Sequence, residues 1–393
     1  MLFRQLFDNK EQPLKLDGGL LPELIRAIEA DPNNFSNYWK RAFVYDHLRK
    51  YQQAISDYSR VIALAPNFID AYINRAADYA DTGDYNRALV DLDKAIKLDP
   101  NIALAYHNRS YCHFRLGNVD AAYQDISQAI SLNPYFSFSY VSRARIILEA
   151  RTGSPQQAAL DASKAIELDP NCVEAYLVRG EIFAAVGQIQ YAIKDFTSAI
   201  SIHSNDYRPY YFRGKTFFSL GDVQHALEDL KKSIEIEPNV PASYYVRSGI
   251  YLRTGNYHCS LEDAETYVRL VPEDPQAYYQ RGLVYSANGN YQASLQDFDK
   301  YISLVPNDLD GYYYRSSAYF KLNRFNEALA DINRTIHFNP KDAPALYFRG
   351  QIHEKLGEKQ KAVVDISQAI KMGLLPEMEK SAKKVLADIQ KSK

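Results

Sequence analysis

Ser243–Val271 reads SYYVRSGIYLRTGNYHCSLEDAETYVRLV. Thirty-four residues further on, Ala277–Val305 reads AYYQRGLVYSANGNYQASLQDFDKYISLV, and after one more such step Gly311–Asn339 reads GYYYRSSAYFKLNRFNEALADINRTIHFN. The three align without a gap. A fixed period of this size is the mark of stacked repeats, in which each supersecondary element packs only on its neighbours.

Outward from this stretch, a proline punctuates the chain: Pro32, Pro66, Pro100, Pro134, Pro170, Pro238, Pro272, Pro306 and Pro340. The step is 34 residues except between Pro134 and Pro170, where it is 36, and Ser204 stands in the one slot that lacks a proline. Ten repeats follow: 35–68, 69–102, 103–136, 137–172, 173–206, 207–240, 241–274, 275–308, 309–342 and 343–376. Residues 1–34 read as a degenerate half-repeat or N-terminal cap, in which Leu20–Ala30 keeps the second-helix register while Leu2–Asn9 is too short and has Asp8 at a normally small position. Residues 377–393 read as a C-terminal capping helix, with Met378, Ala382, Val385, Leu386 and Ile389 on one face.

Each repeat carries apolar residues at positions 4, 8 and 11 and again at 20, 24, 27 and 28, the spacing of two amphipathic helices. A glycine between them, such as Gly83 or Gly255, suits the left-handed conformation that ends a helix, and the proline stops the second helix. Position 8 is small in every repeat (Ala42, Ala144, Gly180 and Gly282 among them) and position 20 is Ala or Ser, so the two helix backbones can approach closely. In 137–172 the turn is enlarged to EARTGSPQQA, which reads as a tolerated insertion or, more sharply, a local binding loop.

Composition bounds the function. Apolar residues make up 46% of the 393, enough for a continuous core. A net charge of −2 argues against a nucleic-acid surface. The three cysteines are far apart and none forms a CxxC pair, so neither a disulfide framework nor a zinc site is expected. The start, MLFRQLFDNKEQP, does not read as a secretory signal, and no apolar run is long enough to span a bilayer. The expectation is a cytoplasmic protein.

The pattern of an aromatic at position 4, a small residue at 8, an aromatic at 11, Ala at 20 and Pro at 32 resembles the tetratricopeptide repeat. The resemblance implies an all-α, right-handed superhelical solenoid whose groove is lined mainly by first helices. It also implies a non-catalytic scaffold or adaptor that holds a partner peptide or helix. The family's clamp for chaperone C-terminal tails needs a lysine at position 5, which no repeat has, and Asn74 and Asn108 alone do not complete it, so chaperone tails are not expected partners.

Two charged positions recur in every repeat, and the first departs from the leucine common in that family. Position 7 is arginine in all ten repeats: Arg41, Arg75, Arg109, Arg143, Arg179, Arg213, Arg247, Arg281, Arg315 and Arg349. Position 23 is always aspartate: Asp57, Asp91, Asp125, Asp161, Asp195, Asp229, Asp263, Asp297, Asp331 and Asp365. In a hairpin turning near position 16 the two lie at similar heights, so a ladder of Arg–Asp pairs is expected, within a repeat or across to the next. Position 5 changes along the chain, from Trp39, Ile73, His107, Val141 and Leu177 to Tyr211, Tyr245, Tyr279, Tyr313 and Tyr347. The resemblance puts this position beside the groove, so the five tyrosines read either as further packing between first helices or as the candidate partner-binding stripe.

No HExxH, GxSxG or phosphate-loop motif occurs, and His258 beside Cys259 is adjacency without a catalytic partner. The chain therefore reads as no enzyme, with no cofactor and no metal. Two other functions stay open: a targeting or regulatory segment of a larger enzyme complex, and a helical-repeat RNA binder, whose arrays keep a longer period and a basic groove.

Overall fold

The computed structural model describes residues 19–391, which form 22 helices and no strand. The expected first half of the leading half-repeat, Leu2–Asn9, lies outside the described residues. The chain divides into two compact units, one ending at Ser204 and the other beginning at Asn205. The boundary falls at the slot where serine replaces the landmark proline.

In the N-terminal unit a single helix, α1 (Leu21–Ala30), precedes five helix pairs. These are α2 (Phe35–His47) with α3 (Tyr51–Leu64), α4 (Ile69–Asp81) with α5 (Tyr85–Leu98), α6 (Ala103–Arg115) with α7 (Val119–Leu132), α8 (Ser137–Ala150) with α9 (Pro155–Leu168), and α10 (Val173–Ala185) with α11 (Ile189–Ile202). The C-terminal unit has five more pairs and a last helix. They are α12 (Tyr207–Ser219) with α13 (Val223–Ile236), α14 (Pro241–Arg253) with α15 (Tyr257–Leu270), α16 (Pro275–Ala287) with α17 (Tyr291–Leu304), α18 (Leu309–Lys321) with α19 (Phe325–Phe338), α20 (Ala343–Lys355) with α21 (Lys359–Met372), and finally α22 (Pro376–Lys391).

Local chemistry starts and stops these helices. Asp84, Asp222, Asn256 and Asn290 cap second helices by accepting from a backbone N–H three residues on, and Pro241 and Pro275 stand in the first turn, where no N–H is needed. The hairpin turn needs a positive φ, which Gly83 adopts at 85°. Arg49 and Asn323 fill the same turn position at 56° and 59°, a conformation that glycine adopts without steric cost. In 137–172 the insertion lengthens α8 to Ala150, puts Arg151 at φ 53°, and leaves Ser154 to cap α9.

The core runs between paired helices, where position 8 meets position 24. Where position 8 is glycine, position 24 can be an aromatic ring: a Cβ on Gly282 would sit 2.8 Å from the ring of Phe298, and one on Gly180 would sit 2.5 Å from the ring of Phe196. Ala42 and Ala76 face Tyr58 and Leu92 instead, all four buried. At the C-terminal end Ala382 and Ile389 of α22 join the cluster of α20 and α21, with Met378, Val385 and Leu386 packed against it, so α22 covers that end as its apolar face requires.

Candidate interaction face

Within each unit, first helices of successive repeats approach one another: α4 with α6, α6 with α8, α8 with α10, and likewise α12 with α14, α14 with α16 and α16 with α18. Second helices do not approach one another to the same degree. A continuous first-helix face therefore runs from α4 to α10 in one unit and from α12 to α18 in the other.

Behind that face stands the charged ladder. All ten arginines close on the aspartate of their own repeat, Nε donating to one carboxylate oxygen and Nη2 to the other, at 2.6–2.9 Å. The fork geometry is the one arginine is shaped for. All ten aspartates are buried. Burial lifts the Asp91 and Asp263 carboxyls above their usual range while the paired guanidinium pulls the other way.

The third arginine nitrogen does something the sequence reading did not specify. Nη1 of Arg75, Arg109, Arg179, Arg315 and Arg349 reaches back to position 25 of the preceding repeat, donating to Ser59, Asp93, Ser163, Asp299 and Asn333 at 2.6–3.1 Å. One guanidinium thus ties its own hairpin and stitches it to the one before. Behind Arg247 that position is Lys231, a cation paired only loosely with Glu235 at 3.9 Å. Lys231→Asp is expected to supply the missing acceptor and raise amide protection across 241–274, with a gain of up to about 1 kcal/mol. Unchanged protection would show that the stitch carries no stability there.

The position 4 tyrosines have a second role besides packing. Tyr72, Tyr140, Tyr244, Tyr278 and Tyr312 each donate their hydroxyl to the carbonyl of the proline six residues earlier, at 3.0–3.2 Å. The same rings lie 5.5–6.0 Å from the ladder guanidinium of their repeat. A tryptophan, common in the family at that position, donates through its ring N–H rather than a hydroxyl at the ring tip.

At position 5 the two units differ. Trp39, Ile73, His107, Val141 and Leu177 are all buried. Tyr245 is 37% exposed, Tyr211, Tyr279 and Tyr313 are half-buried, and Tyr347 is only 6% exposed. The rings rest on other rings: Tyr245 on Tyr267 of its own hairpin at 5.3 Å, and Tyr279 on Tyr301 of its own hairpin at 5.0 Å and on Tyr314 of the next at 5.6 Å. Burial raises the Tyr279 and Tyr313 hydroxyls above the usual phenol range, so both remain protonated donors at neutral pH.

Other reactive groups are quiet. Cys112 and Cys172 are buried, and burial pushes the Cys112 thiol up to about 12. His258 and Cys259 gain a neighbour that the sequence reading passed over: Glu262, one helical turn on, brings three possible metal ligands within 4.8 Å on the first turn of α15, where His258 and Glu262 are exposed. No helix among the described residues is long and apolar enough to cross a membrane.

Sequence profiles described as tetratricopeptide repeat match residues 35–68, 69–102, 103–136, 207–240, 245–308 and 315–373. The chain belongs to the tetratricopeptide repeat family. Its fold is that family's stack of helical hairpins, with arginine and aspartate paired in each. No curated protein sequence matches it. Among solved structures, a tetratricopeptide repeat protein from Parabacteroides merdae is 22% identical, covering 65% of this chain and 98% of its own, with a TM-score of 0.48. Yeast Tom70 is 16% identical over 91% of this chain and 96% of its own, with a TM-score of 0.42. The Cut9–Hcn1 heterotetramer of APC/C aligns at 13% identity over 94% of this chain and 99% of that one, with a TM-score of 0.48.

Proposed function

We propose that this tetratricopeptide repeat protein is a non-catalytic scaffold that holds an extended or helical segment of a protein partner on the first-helix face of its C-terminal unit. The observation that carries the reading is the contrast at position 5. In the N-terminal unit this position is core. In the C-terminal unit it is a run of tyrosines, of which Tyr245 is exposed and three others half-exposed. Rings of this kind, backed by other rings and tipped with a donor, are the residues that dominate protein interfaces, because little freedom is lost when a partner covers them. Three unpaired cysteines, two of them buried, suit the reducing cytoplasm.

Tyr245→Ala combined with Tyr279→Ala is expected to weaken partner binding about tenfold or more while helical content is retained. The measurement is affinity capture from native extract, wild type against the double variant, read by mass spectrometry alongside thermal melts. A partner lost from a variant that melts like wild type supports the reading. An unchanged set of partners moves the contact surface elsewhere. A set dominated by one enzyme's subunits would favour the second reading, a targeting or regulatory subunit of an enzyme complex.

A further inference from the structure

The first helices of the two units carry charge of opposite sign. Leaving out the ladder arginines and Arg208, which aspartates neutralise, those of the C-terminal unit carry four cations against two anions. Leaving out Asp46 and Asp78, which are buried, those of the N-terminal unit carry three cations against five anions. The chain as a whole, at −2, hides this division.

Four of the C-terminal cations, Lys215, Arg253, Lys321 and Lys355, are exposed, and none is within ion-pair reach of a carboxylate among the described residues. Arg253, Lys321 and Lys355 share position 13, at the end of the first helix. The Arg253 guanidinium is steadied 4.8 Å from the ring of Phe218. Helix-end electrostatics favours a cation there in any repeat. That does not account for the pattern, because the N-terminal unit has Asp81 and Glu149 at the same position, with Arg115 its one Lys or Arg there. Between the cationic edge and the tyrosine edge the floor is small or apolar, at Gly249, Leu283 and Ser317.

We infer that the partner segment seated on the C-terminal unit is an acidic stretch of protein with interspersed apolar residues, its carboxylates meeting Arg253, Lys321 and Lys355 and its apolar side chains meeting Tyr245, Tyr279 and Tyr313. This rests on the scaffold reading and names its ligand class. Charge complementarity sets encounter and register, and the rings supply the buried contact. A polyanion such as RNA fits less well, because only four of the unit's five first helices carry one of these exposed cations, α16 carrying none, too sparse a row for a long phosphate chain.

The test titrates the full chain with a fluorescent peptide alternating glutamate and leucine, with a lysine–leucine counterpart, and with single-stranded polyuridine. The acidic peptide is expected to bind more tightly than the basic one and to weaken with added salt. Arg253→Glu with Lys321→Glu, both exposed and outside the ladder, is expected to weaken it about tenfold or more. Asp81→Lys with Glu149→Lys, on the other unit, is expected to leave it unchanged. No preference for the acidic peptide, an equal effect of both charge-reversed variants, or tighter binding of polyuridine through the same cations overturns the inference. Repeating the capture with Arg253→Glu/Lys321→Glu separates the two readings. If it keeps a partner that Tyr245→Ala/Tyr279→Ala loses, the acidic ligand is wrong and the scaffold stands. If neither variant loses a partner, the scaffold reading of this face falls as well.

Discussion

Replacing Asp263 by alanine is expected to remove up to about 3 kcal/mol of stability from the hairpin α14–α15, the cost of leaving the Arg247 guanidinium, itself 18% exposed, without its carboxylate. The carboxylate accepts from Arg247 Nε at 2.8 Å and Nη2 at 2.7 Å, and its side chain is only 6% exposed. Arg247 has no substitute within reach, since the residue behind it is Lys231. Asp125→Ala is the internal control, because Arg109 would keep Asp93 at 2.8 Å and so lose less. A repeat array does not unfold as one block, so the midpoint alone is ambiguous. Amide hydrogen exchange across 241–274 should show the loss locally, with the Asp125 variant milder across 103–136. If the two variants lose the same protection, the second acceptor at Arg109 contributes nothing.

The second large effect is steric. Gly282 lies in the middle of α16, where alanine would ordinarily gain about 1 kcal/mol in helix propensity. Here the added Cβ would meet the Phe298 ring at 2.8 Å, closer than such atoms approach. The ring cannot swing away: it is fully buried, near-parallel to Tyr314 at 6.1 Å and 6.5 Å from Tyr279. Overpacking of this kind costs about 1–3 kcal/mol, which outweighs the helix gain. Gly282→Ala should therefore weaken amide protection across 275–308, and Gly282→Leu should cost about 3 kcal/mol of stability there. Adding Phe298→Leu to Gly282→Ala should recover most of the loss, as the Ala76–Leu92 pairing already works in another repeat. Failure of that rescue would place the strain somewhere other than this contact.

Much of this was legible in the chain. Period, helix pairing and the Arg–Asp ladder follow from residues that recur at fixed positions, and a recurring pair of opposite charges at matched heights leaves few arrangements open. The sequence reading could not choose between pairing within a repeat and across repeats; all ten aspartates pair within. The backward stitch was not visible because its acceptor changes chemistry, from Ser59 to Asp93 to Asn333. The hydroxyl clasp of Tyr72 and its equivalents was hidden for another reason: its acceptor is a backbone carbonyl, which no pattern of side chains reveals. Exposure along position 5 depends on what stands behind each ring, so one motif gives an open Tyr245 and a covered Tyr347. The division of charge needed the boundary at Ser204 before the counts on either side could be compared.

The backward reach of the ladder arginines gives the array a direction. A hairpin such as 69–102 brings the donor, Arg75, while the acceptor, Ser59, already belongs to the hairpin that precedes it. During synthesis the earlier hairpin leaves the ribosome first, so at these five steps the newcomer's donor meets an acceptor that is already made. At those steps the stitch runs from newer chain to older, and the older hairpin supplies only the acceptor.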